Sequence, residues 1–164
     1  MECNSMTEKL GHGTTQGSTR EPRPADTALE QLHWALGTQE MLEAFAGLGF
    51  TLDDLATATG VEERTVRRWQ YGATPPIRSS AARALGDLRA ISLWALKSGE
   101  LPAEDFIEWC RDSSAGMWLN PEGHPVEHAS PLQAISSGNP DSVANIAAAV
   151  RDHFPFPSPP QAAA

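Results

Sequence analysis

The sequence predicts an all-α fold, and three observations lead to this prediction. Apolar residues recur at three- and four-residue spacing in successive segments between residues 26 and 153. Cap residues, prolines and glycines stand where those segments should begin and end. No alternating strand pattern of useful length and no internal repeat is found. We therefore expect helices packed on one another.

Length and charge limit what the chain can be. Its 164 residues suffice for one full domain or two small ones. Twelve Lys and Arg against 21 Asp and Glu give a net charge of −9, which excludes a protein that coats nucleic acid or anionic lipid through bulk charge. Two cysteines, Cys3 and Cys110, offer no disulfide framework. With no membrane span or signal peptide evident, we expect a cytoplasmic protein without membrane contact.

The N-terminal part predicts a disordered leader followed by helices. Residues 1–26 contain too little apolar surface to offset the entropy of ordering them. From Asp26 to about Gly47 the pattern is helical, although Gly37-Thr38 can divide it into two helices. Its apolar positions are Leu29, Leu32, His33, Leu36, Met41, Leu42 and Phe45. Thr51 can cap the next helix with Asp54 three residues later.

A long helix and several shorter ones are predicted beyond the middle of the chain. The segment Pro75–Lys97 carries one apolar stripe, formed by Ile77, Ala81, Ala84, Leu85, Leu88, Ile91 and Ala95. Pro102 opens the next helix, which has Phe106, Trp109 and Cys110 on one face. Residues 114–129 predict a loop anchored by the apolar run Met117-Trp118-Leu119. Two short helices should start at Ser130-Pro131 and Asn139-Pro140, and a proline-rich extended tail follows from Phe154.

The segment Leu52–Trp69 has the spacing of a helix-turn-helix. Ala56 is small where two helices would cross, and Gly60 can take the positive φ of a sharp turn. Val61 would fill the corner, while Val66 and Trp69 would hold the second helix against the core. The face pointing away, where base edges would be read, carries Glu62, Glu63, Arg64, Thr65, Arg67 and Arg68.

Local charge supports a nucleic-acid contact on this helix. From Phe50 to Ala90 six basic residues outnumber five acids, whereas from Ile91 onwards three basic residues face nine acids. We expect Arg67 and Arg68 to contact phosphates or guanines, and the two glutamates to accept from cytosine amino groups. The alternative is an ordinary pair of helices with a charged surface. Because one such unit reads only a few base pairs, a dimer or higher assembly is expected, with half-sites about 34 Å apart.

The order of motifs resembles the Xre/MbcA/ParS antitoxins over about residues 30–153. The resemblance rests on the helix-turn-helix, the long helix, Trp118-Leu119-Asn120-Pro121, and two later runs, Ser130-Pro131-Leu132-Gln133-Ala134-Ile135 and Asp141-Ser142-Val143-Ala144-Asn145-Ile146. It implies a DNA-binding domain at 27–98 and a helical toxin-binding domain at 99–153. Composition adds the disordered leader at 1–26 and the Pro-rich tail at 154–164. A longer leader, a longer tail and an extended loop at 123–128 depart from the compact family pattern.

The resemblance implies one half of a type II toxin-antitoxin pair. Such an antitoxin covers the active site of a RES-domain toxin, which consumes NAD⁺ or transfers ADP-ribose, and represses its own operon through DNA. The residues it would assign to toxin binding are Trp118, Leu119, Leu132, Ile135, Val143, Ile146 and Val150. We also expect Phe154 and Phe156 to insert into or seal the toxin cleft, because aromatic residues on a stiff Pro-rich strand bind with little ordering cost. A stand-alone regulator, perhaps of prophage origin, with C-terminal helices that mediate oligomerisation, is the alternative.

Other candidate chemistry is weaker. No Gly-rich phosphate loop, nucleophile elbow or paired acid and base carboxylates are found, so we expect no enzymatic activity and no cofactor. His124 and His128 lie in a proline-flanked loop, which favours a solvated loop over a metal site. Cys110 is expected to be a core thiol, and Trp34, Trp94, Trp109 and Trp118 to be mostly core. Trp118 could instead lie at the toxin interface.

Overall fold

The protein is mostly helical, as its sequence predicts. The computed structural model describes residues 24–116, 118–120, 122–126 and 129–156. Over these residues the helices are α1 (Pro24–Trp34), α2 (Thr38–Leu48), α3 (Leu52–Thr59), α4 (Glu63–Gln70), α5 (Ser80–Leu93), α6 (Ala103–Arg111), α7 (Pro131–Ser136) and α8 (Ser142–His153). A π-helical segment, Trp94–Ser98, continues α5. Two short strands, β1 (Trp118–Leu119) and β2 (Pro125–Val126), pair antiparallel.

Several predicted helix boundaries are confirmed by capping geometry. Residues 35–37 separate α1 from α2, and Gly49 ends α2 with a φ of +117° that suits glycine. At the start of α3, Thr51 and Asp54 form both hydrogen bonds of a capping box. Ser130 and Gln133 do the same for α7, which has Pro131 in its first turn. The predicted break points therefore follow from local hydrogen bonding.

The long helix predicted for Pro75–Lys97 is wrong at its beginning. Helix α5 begins only at Ser80, because Ser79 caps it by accepting the Ala82 amide at 3.1 Å. Pro75 and Pro76 disfavour the helical region for the residue before each of them, Thr74 and Pro75. Further along, Arg78 takes a φ of +65°, which lies outside the right-handed helical region. Ile77, predicted on the apolar stripe, is 92 % exposed in this loop.

The last helix also begins later than predicted. Asn139 was expected to cap a helix that starts at Pro140, whereas α8 starts at Ser142. The side chain of Asn139 is buried and accepts a hydrogen bond from the Asp141 amide at 2.8 Å. It donates to the Leu119 carbonyl at 2.9 Å and, at 3.5 Å, to the Asn120 carbonyl. The asparagine therefore ties the turn to β1. Strands β1 and β2 form a short antiparallel pair within the segment that the sequence predicts as a loop.

The corner between α1 and α2 is more exposed than predicted. Leu36, expected on the apolar face, is 96 % exposed, His33 is also exposed, and Trp34, expected in the core, is 71 % exposed. Residues 35–37 of this corner are not helical, because α1 ends at Trp34 and α2 begins only at Thr38. The helical spacing therefore does not carry the apolar face across it.

One continuous core includes buried side chains from both sides of residue 98. Helix α7 packs against α3 and α5, α8 packs against α5 and α7, and α6 contacts α7. The largest fully buried side chains come from both halves, including Phe45, Leu55 and Leu88 on one side and Phe106, Leu132 and Ile146 on the other. Within the described ranges, no helix combines the length and the apolar character needed to cross a bilayer. The predictions for residues 1–23 and 157–164, and for Met117, Pro121, Glu127 and His128, concern positions outside the described residues.

Candidate nucleic-acid interface

Helices α3 and α4 are joined by a tight turn at Gly60. The glycine adopts a φ of +72°, and its amide donates to the Ala56 carbonyl at 2.9 Å. The Val61 amide donates to the same carbonyl at 3.2 Å, and the Val61 side chain packs against the core. Ala56 itself is buried. The spacing of these three residues thus produces the predicted turn, because only glycine adopts a left-handed φ without strain.

Two apolar side chains set the orientation of α4. Val66 and Trp69 are buried in the core, three residues apart on one face of the helix. Thr59, at the end of α3, is also buried, and its hydroxyl donates to the Leu55 carbonyl at 2.6 Å. Because one face of α4 is held inwards in this way, the opposite face is directed to solvent.

The arginines on the outer face of α4 are accessible. Arg64, Arg67 and Arg68 are all exposed. Arg64 lies 3.5 Å from a Glu62 carboxylate oxygen, with about three quarters of both side chains exposed, and such a pair contributes little to stability. Among the described residues, Arg67 and Arg68 take part in no ion pair. Over the described ranges, the cationic face of α4 is therefore exposed to solvent.

The remaining predicted residues surround this cationic face. Glu62 precedes α4 and Glu63 is its first residue, and both are exposed. The Glu62 side chain makes no capping hydrogen bond. Thr65 is half-buried, and its amide donates to the Glu62 carbonyl at 2.9 Å. The structure therefore places all six predicted residues on or beside one helix, with Thr65 the least accessible.

Two other arginines of the basic segment have structural partners. Arg83 donates to the Gly138 carbonyl at 3.1 Å, which joins α5 to the turn between α7 and α8. Arg89 donates to the His33 carbonyl at 2.8 Å, which joins α5 to the end of α1. Both are half-buried. The sequence count treats all six arginines alike, whereas these two hold the fold together.

An ion pair that the sequence analysis missed supports the first turn of α3. Arg111, the last residue of α6, donates to both carboxylate oxygens of Asp54 at 2.9 and 2.7 Å. Burial alone raises the pKa of Asp54, but hydrogen bonds from Arg111 and the Thr51 amide outweigh it and lower that pKa below its ordinary value. The two residues are 57 positions apart, so no local pattern could have found the pair.

Most of the nine residues expected at the toxin interface lie inside the protein. Five are buried: Trp118, Leu132, Ile135, Ile146 and Val150. The Trp118 indole donates to the Ala129 carbonyl at 2.8 Å, which favours the internal alternative for this residue. Leu119 is exposed, and Val143, Phe154 and Phe156 are half-buried. The side chains that a partner could reach without displacing aromatic contacts are therefore those of Leu119 and Val143.

The two C-terminal phenylalanines pack on tryptophans of the same chain. Phe156 stacks on Trp94 with ring centroids 4.6 Å apart, and the Arg151 guanidinium lies 5.2 Å from the centroid of that indole. Phe154 meets Trp109 edge-on at 6.1 Å. The segment after α8 thus folds back over the π-helical segment and α6. A partner that takes either phenylalanine must replace these contacts.

Cys110 and His124 are the described residues of two other candidate sites that the sequence analysis considered. Cys110 is buried, as predicted, and burial raises the pKa of its thiol. The part of the chain that the structure describes, which includes His124, contains no group of three or more potential metal ligands.

Comparisons with protein-family models, with curated proteins and with solved structures found no match to this chain.

Proposed function

We propose that α3 and α4 form a helix-turn-helix through which the chain binds DNA and regulates transcription. The observation that carries this proposal is the exposed cationic face of α4, on which Arg67 and Arg68 have no ion pair within the described residues. The chain has a net charge of −9, so Arg64, Arg67 and Arg68 form a local cationic surface on an acidic protein. Phosphate groups and guanine edges are the acceptors that match arginine forks.

The chain would use α4 as the helix that enters the major groove. Residues near the N-terminus of such a helix reach base edges, which gives Glu63 and Arg64 a reading role. Arg67 and Arg68 lie one turn further along and would contact guanines or phosphates. As one unit covers few base pairs, we propose a dimer or a larger assembly on half-sites about one DNA turn apart.

The test is DNA binding by arginine variants. The probe is a labelled duplex that covers the region upstream of the chain's own coding sequence. We expect Arg67→Ala and Arg68→Ala each to weaken binding by about 1–3 kcal/mol, and to lower the slope of log affinity against log salt by about 1 if the lost contact is to phosphate. The matched control is Arg151→Ala, which removes an exposed arginine from α8. Unchanged affinity in both α4 variants would refute the assignment.

We further propose that the C-terminal part binds a protein, as in the antitoxins that the sequence resembles. The toxin would be a RES-domain enzyme that acts on NAD⁺. Support comes from the acidic balance beyond Ile91 and from the accessible apolar side chains Leu119 and Val143. A cleft that holds dinucleotide phosphates needs basic groups, so an acidic partner surface is electrostatically complementary to it. The proposal gives this chain a binding role, without catalysis or a cofactor, in the cytoplasm.

Growth rescue tests the antitoxin role. If a gene next to that of the chain encodes a toxin, co-expression should restore growth and yield a stable complex. Leu119→Asp should abolish rescue, because it places a charge at an accessible apolar contact. The control Leu36→Asp changes an exposed leucine on the corner between α1 and α2 and should leave rescue intact. No rescue and no complex with the wild-type chain would remove the antitoxin role.

One observation favours a stand-alone regulator as the second candidate. Five of the nine residues assigned to toxin binding are buried in the core shared with α3 and α5, where they support the proposed DNA-binding helices. In that case the C-terminal helices brace the fold or mediate oligomerisation. DNA binding that persists without any partner gene, together with a defined oligomer in solution, would support this candidate.

A further inference from the structure

The exposed arginine face of α4 continues into an aromatic residue, Tyr71. Tyr71 follows Arg64 by seven residues, Arg67 by four and Arg68 by three, which are the spacings of one helical face. Its side chain is 85 % exposed, among the most exposed of the large apolar residues that the structure describes. Tyr71 is the residue that caps the C-terminus of α4.

The backbone around Tyr71 is held by local hydrogen bonds. Its amide donates to the Arg68 carbonyl at 3.1 Å, and the Ala73 amide donates to the same oxygen at 3.1 Å. The Gly72 amide donates to the Trp69 carbonyl at 3.2 Å, and Gly72 takes a φ of +104°. These bonds form a glycine-terminated helix end. Tyr71 therefore occupies a defined position rather than a frayed terminus.

We propose that Tyr71 contacts the DNA sugar-phosphate backbone at the edge of the groove that α4 enters. This proposal rests on the proposed function and adds a residue that the sequence analysis did not select. The N-terminal end of a recognition helix reaches the bases, so the opposite end lies towards the groove edge, where the backbone runs. A phenol fits that surface, because its ring packs on a deoxyribose while its hydroxyl donates to a phosphate oxygen.

A backbone contact by an uncharged residue has a characteristic signature. Because tyrosine releases no counterion, its loss should weaken binding without changing the salt slope, whereas loss of a phosphate-bound arginine lowers that slope. A backbone contact is also independent of sequence, so the loss should be equal on different duplexes. Both features separate Tyr71 from a base-reading residue.

The experiment measures the binding of Tyr71→Ala and Tyr71→Phe to two labelled duplexes over a range of salt. One duplex is the upstream region used above, and the other is a mixed-sequence duplex of the same length. We expect Tyr71→Ala to weaken binding to both by about five- to tenfold, which lies in the upper part of the net range for an ordinary hydrogen bond. Tyr71→Phe should weaken binding by about three- to fivefold, which is the part of the loss due to the hydroxyl group. Trp34→Ala, which truncates another exposed aromatic residue, is the control and should bind normally.

The outcomes separate this inference from the function on which it rests. If the wild-type chain binds neither duplex, the proposed function and the Tyr71 contact both fail. If Arg67→Ala weakens binding but Tyr71→Ala does not, only the Tyr71 contact fails. A loss confined to the upstream duplex would assign Tyr71 to base reading and overturn the backbone contact. Since Tyr71 is exposed, the unfolding temperature of its variants should match that of the wild type, which excludes misfolding as the cause.

Discussion

Replacing Arg111 by methionine should destabilise the protein by removing the partner of a buried carboxylate. Arg111 donates two hydrogen bonds to Asp54, whose side chain is only 5 % exposed, and one of 3.3 Å to the Gly49 carbonyl. Methionine keeps much of the apolar stem but donates no hydrogen bond. Asp54 would retain the Thr51 amide, at 2.8 Å, as a donor.

The expected loss is about 2 kcal/mol at neutral pH. Breaking a fully buried ion pair costs about 3–5 kcal/mol. The Arg111 side chain is 45 % exposed, so water screens the pair and can reach part of the space that the guanidinium vacates. The free energy lost on breaking this pair should therefore lie between the values for surface and for fully buried ion pairs.

The loss should depend on pH in a defined direction. The pKa of Asp54 is lowered in the folded protein, so its ionisation contributes stability above its unfolded pKa of about 3.9. That contribution disappears as the pH falls through the lower folded value. The difference between wild type and Arg111→Met should therefore be largest near neutral pH and should shrink in acid below about pH 4.

Urea unfolding at pH 7 and at about pH 3.5 measures this difference. The double variant with Asp54→Asn closes a mutant cycle, which should give a coupling energy of about 1–2 kcal/mol. Asp53→Asn is the matched control, because Asp53 is an exposed acid beside Asp54. An Arg111→Met loss below about 0.5 kcal/mol at pH 7, or a loss that grows in acid, would refute this account.

Three further predictions concern the turn, the thiol and the C-terminal segment. Gly60→Ala should lower the free energy of unfolding by about 1 kcal/mol, because alanine is strained at a positive φ. The new methyl group would cause no clash, since its nearest neighbour is the Ser136 Cβ at 3.7 Å. An unchanged free energy of unfolding would contradict this prediction. Cys110 should resist an aromatic disulfide reagent at pH 8 in a Cys3→Ser background until urea unfolds the chain, and rapid native reaction would show it to be accessible. Phe156→Ala should lower stability by about 1 kcal/mol and shift tryptophan emission to longer wavelength, since it uncovers Trp94; an unchanged spectrum would exclude the stack.

Local features of the chain were predictable from its sequence. The capping pair Thr51 and Asp54, the turn at Gly60 and the inward face of Val66 and Trp69 each depend on residues within about ten positions of one another. Helical periodicity then determines which residues of α4 face away from the core. This is why the accessible arginines could be assigned before the fold was known.

Features that depend on neighbouring elements were not predictable in this way. A stripe of apolar residues in α7 or α8 indicates that one face of the helix is buried, but it does not show whether the same chain or a partner packs on that face. Leu132 and Ile146 are covered by the chain itself, which changes what they can contribute to a toxin interface. Tyr71 had a sequence signal, its spacing from the arginines, but its exposure became known only from the fold.

The sequence by itself determined the helical class, the caps of α3 and α7 and the outward charge of α4, because each of these depends on short-range hydrogen bonding and periodicity. Only the tertiary structure decided that α6 and α7 support α3, through the pair formed by Arg111 and Asp54 and through the shared core. Contacts between residues more than 50 positions apart leave no local pattern, since they depend on how whole helices pack.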